Sequence, residues 1–242
     1  MADGAFPSTH RSAVLRARSD DPGERRRAFE ALVRLYWKPV YKYLRLRWRL
    51  APEDAEDRTQ GFFARSFEKG DFARWDPARG RFRTFLRACL DAFASNEHRD
   101  ARRLKRGGGV QVVPLEFETA EGELRSHPLA AAVDPDEIFQ AEWVRSLFSQ
   151  AVEALQAHCL AVGKEIQFEL FEKYDLQGAD AVRRPTYADL AAEAGLPVTQ
   201  VTNHLAAARR EFRRLVLELL REVCASDEEF RAEARTVLGV EP

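Results

Sequence analysis

The chain has 242 residues, 45% of them apolar and 32% charged, with a formal net charge of −1; these are the proportions of a globular protein with room for two small cores. Cys89, Cys159 and Cys224 form no CxxC pair and have no histidine at zinc spacing, which argues against a disulfide framework or a zinc ribbon and fits a reducing compartment. No apolar run approaches membrane-spanning length and the N-terminus carries no leader-like apolar stretch, so the expected location is cytoplasmic.

The near-zero net charge hides a segregation. Residues 1–23 balance three basic against three acidic side chains and read as a flexible N-terminal arm. From Glu24 to Arg106 there are 22 Lys and Arg against 12 Asp and Glu, a net +10; Gly107–Pro185 carries −8 and Thr186 to the end −3. A basic block followed by an acidic one points to a polyanion partner for the first.

Within the basic block, Ala28, Leu32, Leu35, Val40, Tyr43 and Leu46 recur at helical spacing, with Phe29, Tyr36, Trp37 and Tyr41 among them as core aromatics. Pro52 opens a second helix whose first turn carries Glu53, Asp54, Glu56 and Asp57, the sign that favours a helix N-terminus. Gln60, Phe62, Phe63, Arg65 and Phe67 continue it until Gly70. The turn-rich WDPARGRF (75–82) leads to a third helix over 83–105, ending in Arg99, Arg102, Arg103, Lys105 and Arg106 before three glycines. Phe82, Phe85, Phe93 and His98 are the aromatics nearest that basic end, with core packing the stronger reading for the phenylalanines.

Residues 107–135 read as a flexible acidic linker bearing Glu116, Glu118, Glu121 and Glu123. A root-mean-square reach of roughly 30 Å would let these acids fold back and compete with nucleic acid for the basic helix end. Ile138, Trp143, Leu147, Phe148, Val152 and Leu155 predict one helix from Asp136, and Ile166, Phe168, Leu170 and Phe171 a second that packs on it, followed by a loop over 176–185. Thr186 with Asp189 then makes a capping box, Leu190, Ala191 and Ala194 form an apolar face, and Gly195 supplies a left-handed turn. After Pro197 the apolar residues Val201, Leu205, Ala208, Phe212, Leu215 and Leu219 form a stripe. The pattern is a helix-turn-helix. Thr199, Gln200, Thr202, Asn203 and His204 lie off the stripe, where they are able to read base edges, and Arg209, Arg210, Arg213 and Arg214 follow at positions suited to phosphates. Ser226 with Glu229 opens a short terminal helix through Phe230, Ala234 and Leu238.

In this order the parts resemble the extracytoplasmic-function group of the bacterial RNA polymerase sigma-70 family, over residues 24–222. PEDAEDRTQGFFAR (52–65) resembles the helix with which that family grips core polymerase, which implies a polymerase-binding role for Asp54, Glu56, Asp57, Gln60 and Phe63. GRFRTFLRACLDAFASNEHRDARRLKR (80–106) resembles the segment that reads and opens the minus-ten element, which implies DNA contacts for Arg83, Asn96, Arg99, Arg102 and Arg103. The hairpin at 186–219 resembles the domain that docks on the minus-thirty-five element, and VPLEFETAEGELRSHP (113–128) the connector of one lineage of large sigma-like proteins. Thr202 and His204 stand where the family often carries Lys or Arg.

The expected fold is therefore all-α: an arm over 1–23, a polymerase and minus-ten domain over 24–106, a linker over 107–135, a helix-turn-helix domain over 136–222 and a tail helix over 223–242. The expected function is a sigma factor that brings core RNA polymerase to promoter DNA, with an anti-sigma or other regulatory protein as a further partner. The alternatives are a sigma-derived DNA-binding regulator without polymerase contact, and a helical adaptor that binds only protein. The glycines at 107–109 lack the GK[ST] of a phosphate loop, and His10, His98, His127, His158 and His204 form neither HExxH nor a nucleophile elbow. No enzyme, cofactor or metal is expected.

Overall fold

A computed structural model of the chain describes residues 12–100, 115–126, 134–178 and 184–239. Among them every element is helical: α1 Ala13–Arg16, α2 Pro22–Arg47, α3 Pro52–Lys69, α4 Phe82–Asp100, α5 Phe117–Ser126, α6 Pro135–Ala161, α7 Glu165–Phe171, α8 Tyr187–Ala194, α9 Val198–Val223 and α10 Asp227–Leu238. Two 3-10 turns, Asp71–Arg74 and Pro77–Arg79, fill the turn-rich stretch before α4. The chain divides into two compact units, Met1–Ser146 with Leu220–Pro242, and Leu147–Leu219. This differs from a division at 106 and 136, since the start of α6 and the whole C-terminal tail belong to the first unit.

The first unit is built on an aromatic cluster. Phe29 of α2 stacks on Phe72 at 5.1 Å, Phe62 of α3 meets Phe93 of α4 edge-on at 5.7 Å, and Phe82 contacts Tyr36, Phe72 and Trp75 at 5.4 to 5.6 Å. Phe82 and Phe93 are thus core residues. Helix α3 stops where its sequence says it must, at Gly70 with φ of 61°, a left-handed backbone that a side chain disfavours. Of the expected N-terminal arm, residues 12–23 are described and are not free of the core. Ala13 and Val14 are fully buried, and α1 packs on α2.

The expected flexible linker is not one continuous flexible segment. Its middle folds as α5 and docks on α2. Phe117 is buried against Trp37 and Tyr41, with ring centroids 5.4 and 5.2 Å apart. The Glu121 carboxylate accepts from the Tyr41 hydroxyl at 2.8 Å and from Arg45 Nε and Nη2 at 2.9 and 2.8 Å. Glu123 accepts from Lys38 and Lys42 at 2.8 and 2.6 Å, and the nearly inaccessible Lys42 also donates to Glu142 of α6 at 2.5 Å. Two of the four linker acids are therefore held on α2, because a desolvated basic group needs a paired acid. Glu116 and Glu118 stay exposed.

The second unit has its own core, in which Leu155, Cys159, Phe168, Leu170 and Phe171 meet Leu190, Val201, Leu205 and Ala208. On the later turns of α9 Leu215 is half-buried and packs on this core, Leu219 is half-buried, and Val216 and Leu220 are the fully buried positions. After α7 the chain winds on as a π-helix over Glu172–Gln177, where a loop was expected from 176.

Acid should loosen α5. Its anchor Glu121 has its carboxyl pulled down to about 2 by the Arg45 guanidinium and, against burial, by the Tyr41 hydroxyl. A carboxyl lowered on folding lends stability that is full at neutral pH and is lost as pH falls from the ordinary carboxylate range of about 4 towards the folded value. Amide exchange over 117–126 is expected to accelerate as pH falls from about 4 to about 2, after correction for intrinsic rates, while Glu121→Gln should exchange fast already at pH 7. Equal protection of the variant at pH 7 would contradict this anchoring.

Candidate nucleic-acid and partner interface

The hairpin of α8 and α9 forms from short-range chemistry. Thr186 Oγ1 accepts from Asp189 N at 3.1 Å while Asp189 Oδ2 accepts from Thr186 N at 2.8 Å, which closes the capping box. Gly195 turns the chain at φ of 65°, and the Leu196 N–H returns to the Ala191 carbonyl at 3.0 Å. Val201, Leu205 and Ala208 face the core, so Thr199, Gln200, Thr202 and Asn203 are left exposed and His204 half-exposed on one end of α9. The Thr202 hydroxyl donates to the Val198 carbonyl of its own helix at 3.0 Å, which leaves its methyl as the outward group.

Val198, 46% exposed, belongs to the same surface and was missed in the sequence because its spacing places it on the apolar stripe. It lies on the first turn of α9, before the stripe meets the core. Its apolar side chain suits a thymine methyl.

The arginines of α9 separate into two kinds. Arg209 is committed within the second unit: its Nε and Nη2 donate to the two oxygens of Asp175 at 2.8 and 2.9 Å, its Nη1 to the Tyr187 hydroxyl at 3.3 Å, and it lies over the Tyr174 ring. The Asp175 carboxylate and then the Tyr187 hydroxyl raise the guanidinium pKa further. Arg209, an expected phosphate contact, is thus engaged in a structural contact that braces the π-turn against α8. Arg214 pairs along its own helix with Glu211 and Glu218. Arg210 and Arg213 are exposed.

In the first unit α3 presents Glu53, Asp54, Asp57 and Gln60 to solvent, with Glu56 half-buried among them. Burial, then the neighbouring Glu53, Asp57 and Glu118, push the Glu56 carboxyl up. Phe63 departs from the expected set. It is 2% exposed and packs on Phe29, Phe62 and Phe72, so it holds the acidic face from behind.

Arg83 departs as well. Its side chain is 11% exposed, pairs with the buried Glu233 of α10 at 2.6 Å and lies over the Trp143 ring at 4.8 Å. Asn96 is exposed. The side chains of His98 and Arg99, and the whole of Arg102 and Arg103, lie outside what is described.

Among the described residues no group of acids, histidines and cysteines could hold a metal ion, and no helix is long and apolar enough to cross a membrane. Comparison of the chain with protein-family models, with curated proteins and with solved structures gives no match.

The two kinds of arginine should behave differently on removal. Arg209→Ala is expected to destabilise the protein by about 1 to 2 kcal/mol, the loss of a charged, bidentate but partly solvated contact. Arg213→Ala should leave stability within about 0.5 kcal/mol and lower the slope of log affinity for duplex DNA against log salt by about 1. Thermal melts and salt titrations of both variants check this, and equal melting temperatures would contradict the role given to Arg209.

Proposed function

We propose that the chain is a sigma-type transcription initiation factor, which holds core RNA polymerase through the acidic face of α3 and duplex promoter DNA through the exposed end of α9. The observation that carries the reading is the hairpin: one core-packed helix closed by a capping box and a left-handed glycine, followed by a second whose exposed first turns carry Thr199, Gln200, Asn203 and Val198. Those are the groups that pair with adenine edges and touch thymine methyls when a helix lies in a major groove. Arg210 and Arg213 follow on the same helix for the phosphates.

The acidic face supplies the second half. Glu53, Asp57 and Gln60 recur at helical spacing on α3, opposite the buried Ala55, Thr59, Phe62 and Phe63, and such a surface suits a basic partner. The order of acidic helix, basic helix and helix-turn-helix matches that of the sigma family. A DNA-binding regulator that acts through α9 alone is favoured by one observation, the engagement of Arg83 by Glu233 and Trp143 inside the first unit.

Polymerase binding separates the two. Replacing Asp54, Asp57 and Gln60 together with alanine should abolish co-purification with core polymerase while the fold persists, since exposed positions change stability little. A folded triple variant that still co-purifies refutes the α3 contact and favours the regulator. On the DNA side, Gln200→Ala and Asn203→Ala should each relax preference at one or two base positions by about 1 to 3 kcal/mol. Titration over a library of duplexes reads this, and a uniform loss across all sequences would remove base reading from these residues.

A further inference from the structure

We infer that the face of α2 beneath α5 is a binding surface for single-stranded nucleic acid, and that α5 is its internal competitor. The basic residues Arg34, Lys38, Lys42 and Arg45 recur at i, i+4, i+8 and i+11 on α2, and Trp37 and Tyr41 run beside them. On a helix these six positions fall within one side. A basic track with aromatic rings alongside is the pattern by which proteins hold an unpaired strand, cations on phosphates and rings on bases.

Helix α5 occupies this track in the manner a strand would. The Phe117 ring lies against both aromatic rings, and the Glu121 and Glu123 carboxylates lie on Arg45, Lys38 and Lys42 where phosphates would sit. Arg34 at the end of the track is exposed. The contact is one that a polyanion is able to displace. Helix α5 has 10 residues, fewer than the dozen or so an isolated helix needs, and carries Gly122 in its middle, so it is helical only while docked. Besides the buried Phe117, Ala120 and Glu121 its hold is ionic, and ionic contacts exchange readily for others. Lys42 keeps Glu142 as a partner when Glu123 leaves, so release strands no buried charge.

The proposal deepens the nucleic-acid half of the proposed function, giving a melted strand a place in the first unit, but its test needs no polymerase. Binding of a fluorescent oligothymidylate of about 15 nucleotides to the full chain is measured by anisotropy at low salt. The double variant Glu121→Gln with Glu123→Gln is expected to bind about tenfold tighter than the parent, and adding Lys38→Gln and Arg45→Gln should abolish the gain. An unchanged affinity in the double variant, or a gain that persists without Lys38 and Arg45, overturns the proposal. Amide exchange of the unmodified protein guards against misfolded variants: saturating oligothymidylate should speed exchange over 117–126, whereas unchanged or slowed exchange there overturns it. A polyglutamate peptide of matched length should displace α5 far less well. Equal displacement would show that the rings take no part and that the surface takes acidic protein instead.

Discussion

Lys42 lies on the inner side of α2 with 2% of its side chain exposed, and its ammonium is held between Glu123 and Glu142. An unpaired ammonium in that place would be untenable, and acids from later in the chain come to it, Glu142 as the buried partner and Glu123 as a second, more exposed one. Helix α5 and the start of α6 are thereby drawn onto α2, and the first unit acquires a layer that its aromatic core alone would not demand. The same requirement acts at Arg83, which recruits Glu233 from α10 and the Trp143 ring, and at Arg209, which is closed by Asp175. At Arg83 and Arg209 the basic side chain is thereby drawn into the architecture and away from a polyanion.

That withdrawal sharpens the functional reading. The sequence suggests four arginines of α9 for phosphates, but the folded chain leaves Arg210 and Arg213 exposed while Arg209 and Arg214 serve neighbours. Under the proposed function, grip on duplex DNA would then depend more on the side chains at the first turns of the helix. On α3 the opposite holds. The acids there stay largely in solvent because Ala55, Thr59, Phe62 and Phe63 fill the core side, and burial first, then the neighbouring acids, push the Glu56 carboxyl up. A surface that keeps like charges together against their repulsion is suited to a basic partner.

What the sequence makes legible is what short-range chemistry decides. The capping box at Thr186, the left-handed Gly70 and Gly195, the start of α3 at Pro52 and the Ser226 cap of α10 each involve groups within a few residues of one another, and each is where the pattern places it. The all-helical class follows from the same periodicity. The docking of α5 was not legible, because Glu121 and Tyr41 are 80 residues apart and nothing local distinguishes an acid waiting for a lysine from an acid in a linker. The fates of Arg83, Arg209 and Phe63 were hidden for the same reason. Helical spacing says which side of a helix a residue occupies but not which partner from elsewhere in the chain will cover it.

The central claim, that this chain starts transcription, is tested most directly by mapping RNA 5′ ends. Core RNA polymerase from the source organism, with and without the protein, is given a library of genomic fragments, and the transcripts are sequenced. The account predicts discrete start sites that appear only with the protein and share a common upstream element, whose sequence shifts in preference when Gln200 or Asn203 is replaced. Start sites identical to those of core polymerase alone would contradict it.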